Sequence, residues 1–190
     1  ADEWVELYNR SSVEVDLDGW TITRLVGDVD KPMVRLKGSV RPGTTFLIAN
    51  FAPDDPRSRL AVRPHLISSS LSLPNTKLLL RLYDGDPEKG GRLVDVADDG
   101  AGSPMAGDSQ AKGAMVRVLL DGDGSNPESW ATARESMGWD PGATERGTPG
   151  ASPSPGPASA SAAAGGATAA QGDEREADPA AAASAPDTPT

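Results

Sequence analysis

Asp121-Gly-Asp-Gly-Ser-Asn126 places oxygen-bearing side chains at alternate positions, which is the spacing of a calcium loop. Ca²⁺ takes about six to eight oxygens from a flexible turn, so Asp121, Asp123 and Ser125 are the candidate ligands. The stretch departs from an EF-hand loop at two defining positions. Asn126 stands where glycine makes the sharp turn, and Thr132 stands where a bidentate glutamate closes the site. Asp84-Gly-Asp86 is a shorter and weaker version. Calcium is the one cofactor that these spacings suggest.

Other chemistry is sparse. His65 is the only histidine and cysteine is absent. Disulfides and thiol chemistry are excluded, and a zinc site of ordinary ligand count is not expected. His65 follows Pro64 and reads as a loop residue, with no serine and aspartate that sequence can place beside it as a triad. Ser68, Ser69 and Ser70 are turn material without nucleophile-elbow spacing. Asp95, Asp98 and Asp99 read as a solvated loop, because a catalytic carboxylate pair needs a cleft to separate its pKa values. No catalytic residue emerges, and the chain is expected not to be an enzyme. Trp4, Trp20, Trp130 and Trp139 read as core or lid aromatics, with Trp139 the best candidate for an exposed binding hot spot.

The elements that would carry these groups are strands. Val5 and Leu7, then Val13, Val15 and Leu17, then Trp20 and Ile22 sit two apart, and a period of two sends alternate side chains to opposite faces. Asn9-Arg-Ser-Ser12 and Asp18-Gly19 supply turns between these runs. Val34 and Leu36 oppose Arg35 and Lys37, as on a sheet with one wet face. After the Pro42-Gly43 turn, residues 44–50 form a nearly continuous apolar run, expected as a central strand covered on both sides. Residues 50–64 contain three prolines and read as a long polar loop. Leu78, Leu80 and Leu82 share one face of a strand over 76–83, which returns through an expanded 84–91 loop as a strand over 92–97. The last expected strand covers 114–119.

Composition bounds the rest. The chain has 190 residues and a formal net charge of −10, with 37% hydrophobic residues. Residues 149–190 contain no Val, Ile, Leu, Met, Phe, Trp or Tyr, so they have nothing large to bury against the entropy of ordering them. We therefore expect a domain over 1–148 and a disordered Ala/Pro/Ser-rich tail over 149–190. An acidic domain has no electrostatic drive toward phosphate backbones, so nucleic acid is not expected as a partner. No apolar run approaches the roughly 18 residues that span a bilayer. The first residues run directly into a strand with neither initiator Met nor signal peptide, which suggests a fragment or processed form.

The order of these motifs resembles a family. E-W-V-E-L-Y-N followed by V-x-V-D-L-x-G-W-x-I resembles the opening of the lamin-tail domain, an immunoglobulin-like β-sandwich. P-G-x-x-F-L-I-A, then S-L-S-L-P-N-T with L-x-L-Y-D-G and G-R-L-V-D-V, resemble its middle strand and penultimate hairpin. M-V-R-V, S-N-P-E-S-W-A-T-A and G-T-P-G resemble its closing segment, in which a tryptophan folds back onto the sandwich. The resemblance implies an all-β, immunoglobulin-like sandwich. It further implies a non-catalytic interaction or structural module of a larger bacterial protein, extracellular or envelope-associated. An accessory domain beside a hydrolase lying outside this chain is the alternative. The family carries a further strand ahead of E-W-V-E-L-Y-N, which is missing here. The resemblance thus implies an unpaired sheet edge through which the chain could self-associate.

Overall fold

A computed structural model describes residues 2–153. Eleven strands follow one another: β1 (Trp4–Tyr8), β2 (Val15–Asp16), β3 (Thr21–Val26), β4 (Val29–Arg35), β5 (Ser39–Val40) and β6 (Thr45–Ala49). They continue as β7 (Leu66–Ile67), β8 (Leu80–Tyr83), β9 (Leu93–Ala97), β10 (Met115–Arg117) and β11 (Trp130–Thr132). The only helical pieces among the described residues are single 3₁₀ turns at Pro87–Lys89 and Pro127–Ser129. The expected all-β class is what the chain adopts. No helix among the described residues is long and apolar enough to cross a membrane. The tail disorder expected from composition concerns residues that, from 154 onward, lie outside the described ones.

Two sheets face each other across the main core. One has the order β4-β3-β8-β9 and is antiparallel throughout; the other has the order β1-β6-β7, with β6 and β7 parallel. Ile22, Val34 and Leu80 come from the first, Phe46 and Ile48 from the second, and Leu17, Leu36 and Leu71 fill the space between. Pairs β2-β5 and β10-β11 close the flanks. The strand expected at 44–50 is β6, buried at every residue from Thr45 to Ala49. It is covered twice: Phe46 and Ile48 face the main core, while Leu47 and Ala49 face a second cluster with Leu60. Trp4, Val62 and Trp139 pack on that second cluster, so the closing segment forms a third layer over β6.

Several expectations need adjustment. Val13, expected to point inward with Val15, is 63% exposed, because it precedes β2 in a turn organised by Asn9. β4 begins at Val29, ahead of the alternation read over residues 34–37, with Pro32 lying in it. The proline is tolerated because β4 is an edge strand and the β3–β4 register shifts beside Thr23. Contacts with the sandwich persist past residue 148. Pro149 is fully buried, and Ser152 Oγ donates to Gly43 O at 2.9 Å.

Candidate functional site

In the 121–126 turn, the Asp123 carboxylate accepts from Ser125 N–H at 2.9 Å and from the Ser125 hydroxyl at 2.8 Å. Those bonds hold the Asp123 carboxyl below its ordinary pKa, the Ser125 amide contributing most. Asn126 caps the following 3₁₀ turn, accepting from Glu128 N–H at 3.0 Å. Asp121 turns away and pairs with Arg10, whose guanidinium also donates to Leu120 O at 2.5 Å. The fold thus joins Asp123 to Ser125 and ties Asp121 to the segment after β1. Among the described residues no cluster of three or more His, Cys, Asp or Glu side chains could hold a metal ion.

The turn also seals a sheet edge. Gly124 lies so close to β9 that an added Cβ would stand 1.6 Å from Val96 O. Gly124 O accepts from Asp98 N–H at 3.0 Å and from the Trp130 indole N–H at 2.8 Å. Arg117 fastens the arrangement, donating to Val96 O (3.3 Å), Leu119 O (3.1 Å) and Gly122 O (2.6 Å) while lying over the Trp130 ring. Asp98, expected in a solvated loop, is 1% exposed. Its two oxygens accept from Asp99 N–H at 2.8 Å and Met105 N–H at 2.7 Å, so it staples the loop that leaves β9. Asp99 is exposed, as expected of a solvated loop, whereas Asp95 is exposed but lies within β9.

His65 has a structural use that sequence did not reveal. Its Nδ1 accepts from Leu47 N–H at 3.0 Å, its backbone N–H donates to Leu47 O at 2.8 Å, and its ring stacks on Phe46. Trp139 is a lid rather than an exposed anchor. It meets Trp4 edge-on at 6.0 Å between ring centres, and its indole donates to Gly147 O at 3.0 Å.

The 50–64, 84–91 and 121–126 loops do not form one surface. Asn50 N–H bonds Glu3 O at the start of β1, whereas Arg10, beyond the end of β1, carries Asp121. Asp86 pairs with Arg35 on the opposite sheet.

Among the described residues, the outer edge of β1 has no strand beside it: β1 pairs only with β6. Asn50 N–H donates to Glu3 O and Asn9 N–H to Thr44 O, both at 3.0 Å. Ladder bonds in an antiparallel pair alternate along the strand. Val5 and Leu7 therefore bond toward β6, and the N–H and C=O groups of Trp4, Glu6 and Tyr8 line the outer edge. The other sheet edges are defended. β4 carries Pro32 and a register shift, β9 carries a register shift and the Arg117–Gly124 seal, and β7 is two residues long. β1 has five residues in unbroken register, with no proline, no lysine and no bulge. Its core-facing residues report the consequence. Val5 and Leu7 are only half-buried, while Phe46 and Ile48 beside them on β6 are 2% and 0% exposed.

A scan against family models, a search of curated proteins and a search of solved structures each give no match.

Proposed function

We propose that this chain is a non-catalytic interaction module of a larger, exported or envelope-associated bacterial protein, and that it engages its partner by adding a strand at the β1 edge. The observation that carries this reading is the undefended five-residue edge, with Val5 and Leu7 left half-covered beneath it. An added strand would satisfy the outward N–H and C=O groups of Trp4, Glu6 and Tyr8 and would bury those two side chains. The resemblance to the lamin-tail domain supports a scaffold whose activity lies in association. The same resemblance motivates the alternative, an accessory domain beside a hydrolase outside this chain.

Tyr8→Pro tests the reading. It deletes an outward amide that the β1–β6 ladder does not use, and proline is tolerated at such an edge position. Extended peptides selected from a random display library should bind the full chain and lose binding to a folded Tyr8→Pro variant. Equal binding to both proteins would refute the β1 site, and hydrolysis of nucleic acid or phosphoesters by the purified chain would refute the non-catalytic assignment.

A further inference from the structure

Resting on the β1 reading above, the structure assigns the partner a chemistry: we propose an extended strand that sets an Arg or Lys opposite Glu6 and aliphatic side chains on either side of it. Residues directly opposite one another on neighbouring strands point to the same face, and their sequence neighbours point to the other. Trp4, Glu6 and Tyr8 share the face away from the main core, and Val5 and Leu7 share the core face. The partner position opposite Glu6 therefore lies between an indole and a phenol, beside a carboxylate. A guanidinium fits all three, since it pairs with carboxylates and lies on aromatic faces. The adjacent partner positions lie beside Val5 and Leu7, where aliphatic groups extend the core.

Charge selects the same occupant. Residues 1–9 carry Asp2, Glu3 and Glu6 and no Lys or Arg. Arg10, the nearest base in sequence, is already held by Asp121 and Leu120 O. The closing segment that packs on β1, residues 147–153, carries no charge. Glu6 is partly desolvated, and burial raises its pKa, so a cation brought beside it relieves an existing cost. A second copy of this chain is the wrong occupant. Pairing β1 with β1 antiparallel about Glu6 sets the two carboxylates against each other.

The test uses the full chain and three fluorescent peptides of one length, Val-X-Val-X-Val flanked by Thr, with X as Arg, Ser or Glu. Anisotropy should show the Arg peptide binding about tenfold or more tighter than the Glu peptide. That preference should shrink in Glu6→Gln, and all binding should vanish in folded Tyr8→Pro. Should Tyr8→Pro not fold, an Arg peptide N-methylated at the amides facing β1 replaces it and should not bind. Equal affinity for Arg and Glu peptides, still lost in Tyr8→Pro, would overturn the basic-strand proposal while leaving the β1 edge standing. Absence of binding, or binding indifferent to Tyr8→Pro and to N-methylation, would overturn both. A dimer in light scattering that Tyr8→Pro dissociates would make a second copy the occupant and overturn the proposal.

Discussion

Gly150 N–H donates to Glu6 Oε1 at 2.8 Å, joining residues 144 apart in sequence. This bond explains how a closing segment almost without regular structure stays on the sandwich. Trp139 supplies the apolar contact with Trp4, Gly147 O takes the Trp139 indole N–H, and Glu6 catches the chain three residues later. The segment covers the outward face of β6, and β6 is buried on both sides as a result. The strand edge of β1 stays open because the segment lies across the face of the sheet and does not extend the ladder.

Replacing Glu6 by Gln should make stability less dependent on pH. Burial raises the Glu6 pKa above its ordinary 4.5, opposed by the bonds from Gly150 and Thr45. The folded state then holds its proton at pH values where the unfolded state has released it. Wild-type stability therefore falls as pH rises from about 4.5 through the raised folded pKa, and levels off above it. Gln keeps an oxygen for Gly150 N–H and carries no charge. Urea midpoints at a series of pH values should show Glu6→Gln gaining on wild type across that window and holding a constant lead above it. A gap that narrows with rising pH would contradict the burial of Glu6.

Trp139→Ala should destabilise the chain by about 2–3 kcal/mol, below the usual cost of a fully buried tryptophan because this one is half-buried. Near-ultraviolet dichroism should lose signal as well, since the ring meets Trp4 edge-on. An exposed anchor would lose neither stability nor signal, so the two measurements separate a lid from a binding hot spot.

Most of the sandwich was legible because its strands obey one rule. Val34 and Leu36 against Arg35 and Lys37 gave the correct inward face, and the unbroken apolar run at 44–50 marked the doubly covered β6. The rule failed where tertiary contacts overrode local pattern. Pro32 argues against a strand until one knows that β4 is an edge. β7 and β11 are too short, at two and three residues, to show a period. The site was less legible still. Asp-x-Asp-x-Ser spacing serves a calcium loop and an aspartate-capped turn equally well, and only the fold shows Arg10 on Asp121. The open edge was anticipated only through the family resemblance, because periodicity and composition do not show which strand has no neighbour.

His65→Ala should cost about 1–3 kcal/mol, although the side chain is exposed. The loss arises at Leu47, which is 1% exposed and whose N–H has Nδ1 of His65 as its acceptor. Leaving a buried amide unpaired carries most of its desolvation penalty. Hydrogen exchange should show the Leu47 amide losing protection selectively. Unchanged exchange at Leu47 would mean that the imidazole bond is not formed in solution.

Gly124→Ala is expected to be the most damaging methyl added at any of the described glycines. At Gly124 the ideal Cβ lies 1.6 Å from Val96 O and 2.7 Å from Val96 C, and backbone cannot swing aside as a side-chain tip can. Relief requires the 121–125 turn to lift from β9. Lifting breaks the bonds that Gly124 O accepts from Asp98 N–H and the Trp130 indole, and it weakens the Arg117 bond to Val96 O. Losing two or three such bonds around a buried aspartate should cost about 2–4 kcal/mol. Lifting also uncovers the β9 edge, whose Leu93 and Val94 are already about half exposed, and uncovered edges recruit other strands. Gly124→Ala should therefore both melt earlier and aggregate on heating, while Gly142→Ala, whose Cβ meets nothing within 4 Å, should do neither beyond the strain of its positive φ. Melting curves with parallel light scattering read both effects, and a Gly124→Ala protein as stable as wild type would show that the turn does not sit on β9.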